Sequence, residues 1–565
     1  MNIKSHSVRI TGLWAAMLWF SFSTFAQTQN FIQLPSNNFP YNVVMNIYGD
    51  PATQMAFNWF TNAGITGGKV KIMLGGSVVD SVNATCTSYS GYIENKAVVS
   101  GLLPNTTYSF QVGGVKNSWS NTGTFTTAKD NKDPFSFIYI TDSQGSFTAL
   151  KNNTDMVLNK HPNAGFWLHC GDLTSFGNNQ TYWNLFFTSF QNLFFSKPFV
   201  PVTGNHDTQQ TYNFKHHFNL NSTSFDAVGS TYTFLYGDAQ FFAINSEHWD
   251  YSPPSAETID SIKNWMRAKV ATNQNVTWRI VYFHQPVFTG AKLEQNEYCI
   301  PAWHNALTLL FDELNIDLAL QGHSHIYDVI GPVKSVDVVP SAVSNVMQGP
   351  IIKTINESGK SGGTFNVKNG TLYFTNGTFG DSTFFAPFPL IDMPGKCFKK
   401  ITNYPSLMTG RYGQIGKPVY SHISVSSGSI VISTYKIDKG SSQLMDEITL
   451  VKYCASVPDD PGSQTITTSQ TWNTNKTITQ NIVVPEGVTL TITATAYFST
   501  YKITVKCGGK LIVSGGTIDD GKVVVQYGGK LILSNTGKIL LGNYDNLEVE
   551  LGAEFDKSFG EILLK

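Results

Sequence analysis

The chain has 565 residues, only 14% of them charged, and a formal net charge of -1. That length allows about three or four domains, and the balanced charge, with no clustered basic face, excludes a nucleic-acid-binding module. Aromatics at 13% and 48 glycines favour a β-rich, loop-rich protein over a helical one.

Lys4 and Arg9 lead into an apolar stretch from Thr11 to Phe25, and Thr24-Phe25-Ala26 puts small residues at the outer cleavage positions. The stretch is shorter than the roughly 20 residues a membrane span needs. Residues 1–26 therefore read as a signal peptide. No second long apolar segment follows, so the expected mature chain has no transmembrane segment and is secreted, periplasmic or at the cell surface. The six cysteines, Cys86, Cys170, Cys299, Cys397, Cys454 and Cys507, show no CxxC spacing, so disulfides fit better than a thiolate metal site. Cys299 with Cys397 is the favoured bridge. Cys170, at the end of an apolar run, is expected to be a free packed thiol.

Residues 40–129 alternate short strand patterns with turn signals, as an all-β sandwich does. A polar linker ends at Pro134, and residues 135–453 then alternate strand and helix patterns. Ser255 to Lys269 carries Ile259, Ile262, Trp265 and Met266 at helical spacing, and Pro301 to Leu314 carries Leu307, Leu310, Phe311 and Leu314. Val419 to Ile437 reads as a strand pair turning at Ser427-Gly428. Residues 455–464, with Pro458, Asp459, Asp460, Pro461 and Gly462, have linker composition. Within residues 465–565 a unit recurs at Gly487–Ile492, Gly508–Val513 and Gly528–Leu533, which predicts a small β-solenoid-like domain.

The α/β region carries five short polar motifs: Asp142-Ser143-Gln144, Gly171-Asp172, Gly204-Asn205-His206-Asp207, His284, and Gly322-His323-Ser324-His325. Most follow an apolar run, so they read as loops at strand ends, where open α/β sheets build sites. The set supplies oxygen and nitrogen ligands for two adjacent metal ions and leaves a histidine over. Asp142 and Gln144, two apart on an extended chain, share a face and serve metal 1. Asp172 follows a glycine and bridges both ions. Asn205 and His284 serve metal 2, and His323 and His325, straddling Ser324, serve metals 2 and 1. His206 is left to hold a phosphoryl oxygen or protonate a leaving group. Asp207 is a candidate to orient an imidazole. His161, His169, His216, His217, His248 and His304 lack such context and read as surface or core residues.

This ordered set resembles the calcineurin-like metallophosphoesterase superfamily over roughly residues 40–453, and the sandwich before it resembles the N-terminal domain of purple acid phosphatases. Leu102 to Tyr108 also resembles the Leu-x-Pro-x-Thr-x-Tyr stretch of fibronectin type III-like domains, whose tyrosine makes a corner hydrogen bond. The resemblance implies a four-layer α/β/β/α sandwich holding two divalent or trivalent ions (Zn, Mn or Fe). It also implies hydrolysis of a phosphomonoester or phosphodiester by a metal-bridging hydroxide. Two positions depart from it. Most members carry His where this chain has Gln144, a neutral and weaker ligand. Purple acid phosphatases place a tyrosine three residues after the bridging Asp, where this chain has Ser175, so the protein is expected to be colourless. The rival reading is a degenerate enzyme acting as a surface or carbohydrate-binding protein. The C-terminal domain could supply cell-surface or polysaccharide attachment under either reading.

Overall fold

The computed structural model describes residues 39–208, 213–247, 254–289, 299–333, 354–355, 361–367, 370–380, 411–413, 415–452, 459–526, 529–543, 546–549, 554–556 and 560–564. The signal-peptide reading, His248, Cys397 and Cys454 lie outside them. So do Trp249, Tyr251, Tyr298, Phe384 and Phe385, aromatic residues that could either stack on a substrate or pack their own loops. Cys86 and Cys170 are free, with Cys170 buried, while Cys507 is disulfide-bonded. Among the described residues no helix is long and apolar enough to cross a membrane.

The first β unit packs a four-stranded antiparallel sheet, with Gln54–Asn62 and Tyr92–Ser100 at its centre, on a five-stranded one built around Lys69–Leu74 and Thr107–Val115. Strand alternation sends Phe57, Trp59, Val70, Ile72, Phe110 and Val112 into one shared core. The Tyr108 hydroxyl accepts the Leu103 N–H at 3.0 Å, the corner bond expected from the sequence. Buried amides join this unit to the rest: Asn46 Nδ2 donates to Phe199 O at 2.8 Å, and Asn219 Nδ2 donates to Phe57 O at 3.2 Å and Ala97 O at 3.0 Å.

Two mixed sheets follow. In the eight-stranded sheet Phe199–Val202, Trp167–Cys170 and Phe135–Ile140 run parallel, and Val419–Val425 joins antiparallel. In the seven-stranded sheet Ala239–Ala243, Trp278–Tyr282, Leu318–Gln321 and Thr371–Asn376 are parallel. Parallel neighbours need crossovers, and helices such as Phe147–Lys160, Gln180–Ser189 and Ala256–Thr272 supply them. The Ser255 hydroxyl caps the last of these by accepting the Thr258 N–H at 3.1 Å.

Alternation within single strands sorts the cores. Phe137 and Tyr139 join Phe241, Ile280, Tyr282 and Leu320 of the other sheet, while Ile138 and Ile140 pack on Leu150, Val157, Trp183 and Phe186 of the helices. On the second sheet Phe242, Val281 and Phe283 meet Ile262, Met266, Leu307 and Phe311. Each strand is therefore apolar throughout, because both of its faces are covered.

In the C-terminal β-rich region, successive short strands go in rotation to three parallel five-stranded sheets. Lys510–Ser514 pairs in register with Lys530–Ser534, Leu511 on Leu531 and Val513 on Leu533. The recurring Gly-Lys-Leu-Ile units are thus the same position of successive turns of chain. Gly509 and Gly529 are required where they stand: an added Cβ would lie 2.4 Å from Val484 O and 2.7 Å from Val505 O.

Candidate metal centre

The five motifs leave the C-terminal ends of five parallel strands in the two sheets. Asp142 follows Phe135–Ile140, Asp172 follows Trp167–Cys170 and Asn205 follows Phe199–Val202. His284 follows Trp278–Tyr282, and His323 and His325 follow Leu318–Gln321. The backbone turns sharply there. Asp142, Asp172, His323 and His325 have φ of 52°, 55°, 69° and 50°, a left-handed region that non-glycine residues adopt at a cost. Alternation along an extended strand is therefore not what aims Asp142 with Gln144 or His323 with His325. A left-handed turn does so in each case.

Asp142, Asp172 and His325 bring ligand-capable atoms within 4.8 Å of one another. His325 Nε2 lies 3.1 Å from Asp142 Oδ1. Gln144 Nε2 donates to Asp172 Oδ2 at 3.1 Å, while the buried Gln144 Oε1 has no hydrogen-bond partner. Next to this group, Asn205 Oδ1 lies 3.0 Å from His284 Nε2 and 3.0 Å from His323 Nδ1. Asp172 Oδ1 lies 3.4 Å from the same His284 Nε2.

The protonation pattern is informative. His284 Nδ1 faces Cys170 O at 2.7 Å, and a carbonyl only accepts, so Nδ1 carries the hydrogen. In the neutral ring Nε2 then offers a lone pair toward an amide oxygen and a carboxylate oxygen. Three acceptors facing one another call for a cation. Without a bound ion a proton on Nε2 takes that place. Burial opposes charge on His284, yet Asp172, Asp142 and Glu247 hold its pKa well above the usual imidazole value. Burial would raise Asp142 and Asp172, but the His325 and His284 imidazoles respectively, with other neighbours, hold both carboxyls below the usual range. The orphaned Gln144 oxygen and the mixed O/N donor set fit a pair of hard-to-borderline metal ions.

His206 Nδ1 faces Ser175 O at 3.0 Å and so carries the hydrogen, and Nε2 lies 3.9 Å from Asp172 Oδ2. Its side chain is 28% exposed, unlike the buried carboxylates it faces. Asp207 corrects an expectation. Among the described residues it meets no imidazole. Its fully buried carboxylate accepts from Gly204 N at 2.9 Å and from Leu173 N and Thr174 N at 3.1 Å, tying the two loops together. The reason is local: three amides left free by the turns lie nearer than any ring. Burial and the Asp172 charge push the Asp207 carboxyl up to about 7 against the pull of those amides.

The sequence reading missed several neighbours. Buried His169 has its pKa lowered to about 3 by burial, and its Nε2 meets Ser143 Oγ at 2.9 Å, bracing the loop between Asp142 and Gln144. Glu247, 6% exposed, is not among the site residues that the sequence singled out. The available signal was the one used elsewhere: a polar Asn245-Ser246-Glu247 run just after the apolar strand Ala239–Ala243.

Carboxylates, amides and imidazoles from five strand ends thus meet in one α/β fold as a candidate metal centre. Residues 135–327 match the calcineurin-like phosphoesterase family, and residues 40–127 match the purple acid phosphatase N-terminal domain. The chain thus carries a calcineurin-like phosphoesterase domain and, before it, a purple acid phosphatase N-terminal domain. It is 23% identical over 302 residues to purple acid phosphatase 21 of Arabidopsis thaliana, a match covering 49% of this chain and 62% of that relative. The solved purple acid phosphatase from yellow lupin (Lupinus luteus) seeds shares the fold, with a TM-score of 0.57 at 15% identity, over 73% of this chain and 74% of that one.

Proposed function

We propose that this chain is an exported di-metal hydrolase of phosphoric esters, built as a four-layer α/β/β/α sandwich between the front β unit and a C-terminal β-solenoid. Residues 40–129, 135–453 and 465–565 are the proposed domains, joined by linkers. Metal 1 would be held by Asp142, Gln144, Asp172 and His325, and metal 2 by Asp172, Asn205, His284 and His323. The ions would be Zn, Mn or Fe. Bound ions would supply Lewis-acid activation of the phosphoryl group and of the attacking water.

The chain's own residues do the rest. Asp172 faces both ligand groups and fixes their spacing. Cys170 O orients His284 through its Nδ1–H, leaving Nε2 free to bind. Ser175 O fixes the His206 tautomer in the same way, so Nε2 faces the site. Protonated at Nε2, His206 would donate that proton to the departing alkoxide oxygen. With Ser175 where a tyrosinate would be needed, the loaded protein should be colourless.

The observation that carries the reading is the convergence of Asp172 Oδ1, Asn205 Oδ1 and His284 Nε2 beside the unpartnered Gln144 Oε1. Its test is hydrolysis of a chromogenic phosphate ester before and after chelation. Turnover lost on chelation and restored by Mn or Zn supports it. Turnover that chelation does not touch overturns it.

A further inference from the structure

Glu247 is a carboxylate for which the proposed reaction has so far no use. Its side chain is buried, and its two hydrogen-bond donors are both neutral. Ser246 Oγ donates to Oε1 at 3.1 Å, and Gln285 Nε2 donates to Oε2 at 3.2 Å. Among the described residues no lysine or arginine pairs with it. A buried carboxylate without a cationic partner is costly unless positive charge lies close. The positive groups acting on it most strongly are His284 and His323, the two imidazoles on the metal 2 side, while Asp172 repels it. Burial outweighs that help and leaves its pKa raised.

The residue is also held in place. Its N–H donates to Asn245 Oδ1 at 3.0 Å, and Asn245 Nδ2 donates to Asp226 Oδ1 at 3.0 Å. Ser246 Oγ accepts the backbone N–H groups of His284 at 3.2 Å and Gln285 at 2.9 Å. One rigid unit therefore sets Glu247 beside the segment that carries His284.

We infer that Glu247 is a specificity-determining residue: its charge biases the centre toward phosphodiesters and against phosphomonoesters. This rests on the phosphoesterase reading above. Two divalent ions bring four positive charges, of which Asp142 and Asp172 cancel two. Glu247 cancels a third without occupying a ligand position. A monoester near neutral pH carries close to two negative charges and a diester carries one. A fixed negative charge therefore repels the monoester about twice as strongly, and in a partly buried site that difference is worth about tenfold in discrimination.

The test compares wild type, Glu247→Gln and Glu247→Asp, each loaded with Mn. The readouts are metal content, kcat/KM on para-nitrophenyl phosphate and on its bis-ester, and calorimetric binding of inorganic phosphate and dimethyl phosphate. Gln keeps the size and the hydrogen bonds and removes only the charge. Expected for Glu247→Gln is a full metal complement, a monoester-to-diester ratio raised about tenfold, and phosphate binding tightened more than dimethyl phosphate binding. Glu247→Asp, which keeps the charge, should stay near wild type. Unchanged ratios with both metals bound would overturn the inference. So would loss of a metal, since Glu247 would then be holding the ion. If wild type hydrolyses neither ester, the phosphoesterase reading fails, and the two binding constants still decide the role of the Glu247 charge.

Discussion

Gly204→Ala tests whether the Asn205-His206 loop must seat directly on Asp172. A Cβ at position 204 would lie 2.1 Å from Asp172 N and 2.2 Å from Asp172 Oδ1, well inside van der Waals contact. Neither side has room to yield. Ser143 N donates to Asp172 O at 2.9 Å, and the Asp207 carboxylate ties Gly204 N to Leu173 N and Thr174 N. Relief by parting the loops would also break the His206 N–H bond to Asp172 Oδ1, now 2.9 Å. Overpacking costs about 1–3 kcal/mol and a lost hydrogen bond about 1 kcal/mol, so metal-free protein should lose about 2–4 kcal/mol. The assay is urea denaturation of chelated protein, with elemental analysis after reloading. Gly428→Ala is the control, because a Cβ there meets nothing within 4 Å. It should stay within about 0.5 kcal/mol of wild type. Gly204→Ala protein with wild-type stability and two bound metals would refute the argument.

Asp172→Asn should strip both ions, since one carboxylate faces both ligand groups; elemental analysis finding two metals per chain would sink the bridging assignment. His206→Asn should keep its metals and lose about 10²–10⁴-fold in kcat. The loss should be smaller for para-nitrophenyl esters, whose leaving group needs no proton, than for alkyl esters, and equal losses would argue against proton donation. His217 gives a pH prediction. It is fully buried where the front β unit docks, stacked on Trp183 at 4.3 Å with neither ring nitrogen hydrogen-bonded, and burial holds its pKa well below 6.5. A folded-state pKa below the unfolded one contributes stability above about pH 6.5 that is lost as pH falls. His217→Phe should flatten that acid limb in denaturation midpoints measured from pH 7.5 down to 4.5, and an unchanged limb would count against it.

The apolar runs gave the sheets away because both of their faces are buried. Phe135–Ile140, the apolar run just before Asp142, is one such strand. The ligand-capable residues were legible for a related reason, since polar residues at the ends of such strands have few structural uses. Three things were not legible. The left-handed turns at Asp142, Asp172, His323 and His325 leave no composition signal, because the residues that adopt them are not glycine. Asp207 was misread because a carboxylate next to a histidine in sequence says nothing about which amides the neighbouring loop leaves free. Glu247 depends on the fold bringing Ala239–Ala243 beside Trp278–Tyr282, a pairing across more than thirty residues of chain. The C-terminal repeat was readable as a period, but its partition into three parallel sheets needed the register of every turn.

The most direct test of the central claim is elemental analysis of the purified protein, paired with turnover of para-nitrophenyl phosphate and its bis-ester. Two metal ions per chain, with turnover that tracks their content, is the predicted result. One ion or none, with no turnover after Mn, Zn or Fe is supplied, would contradict the account.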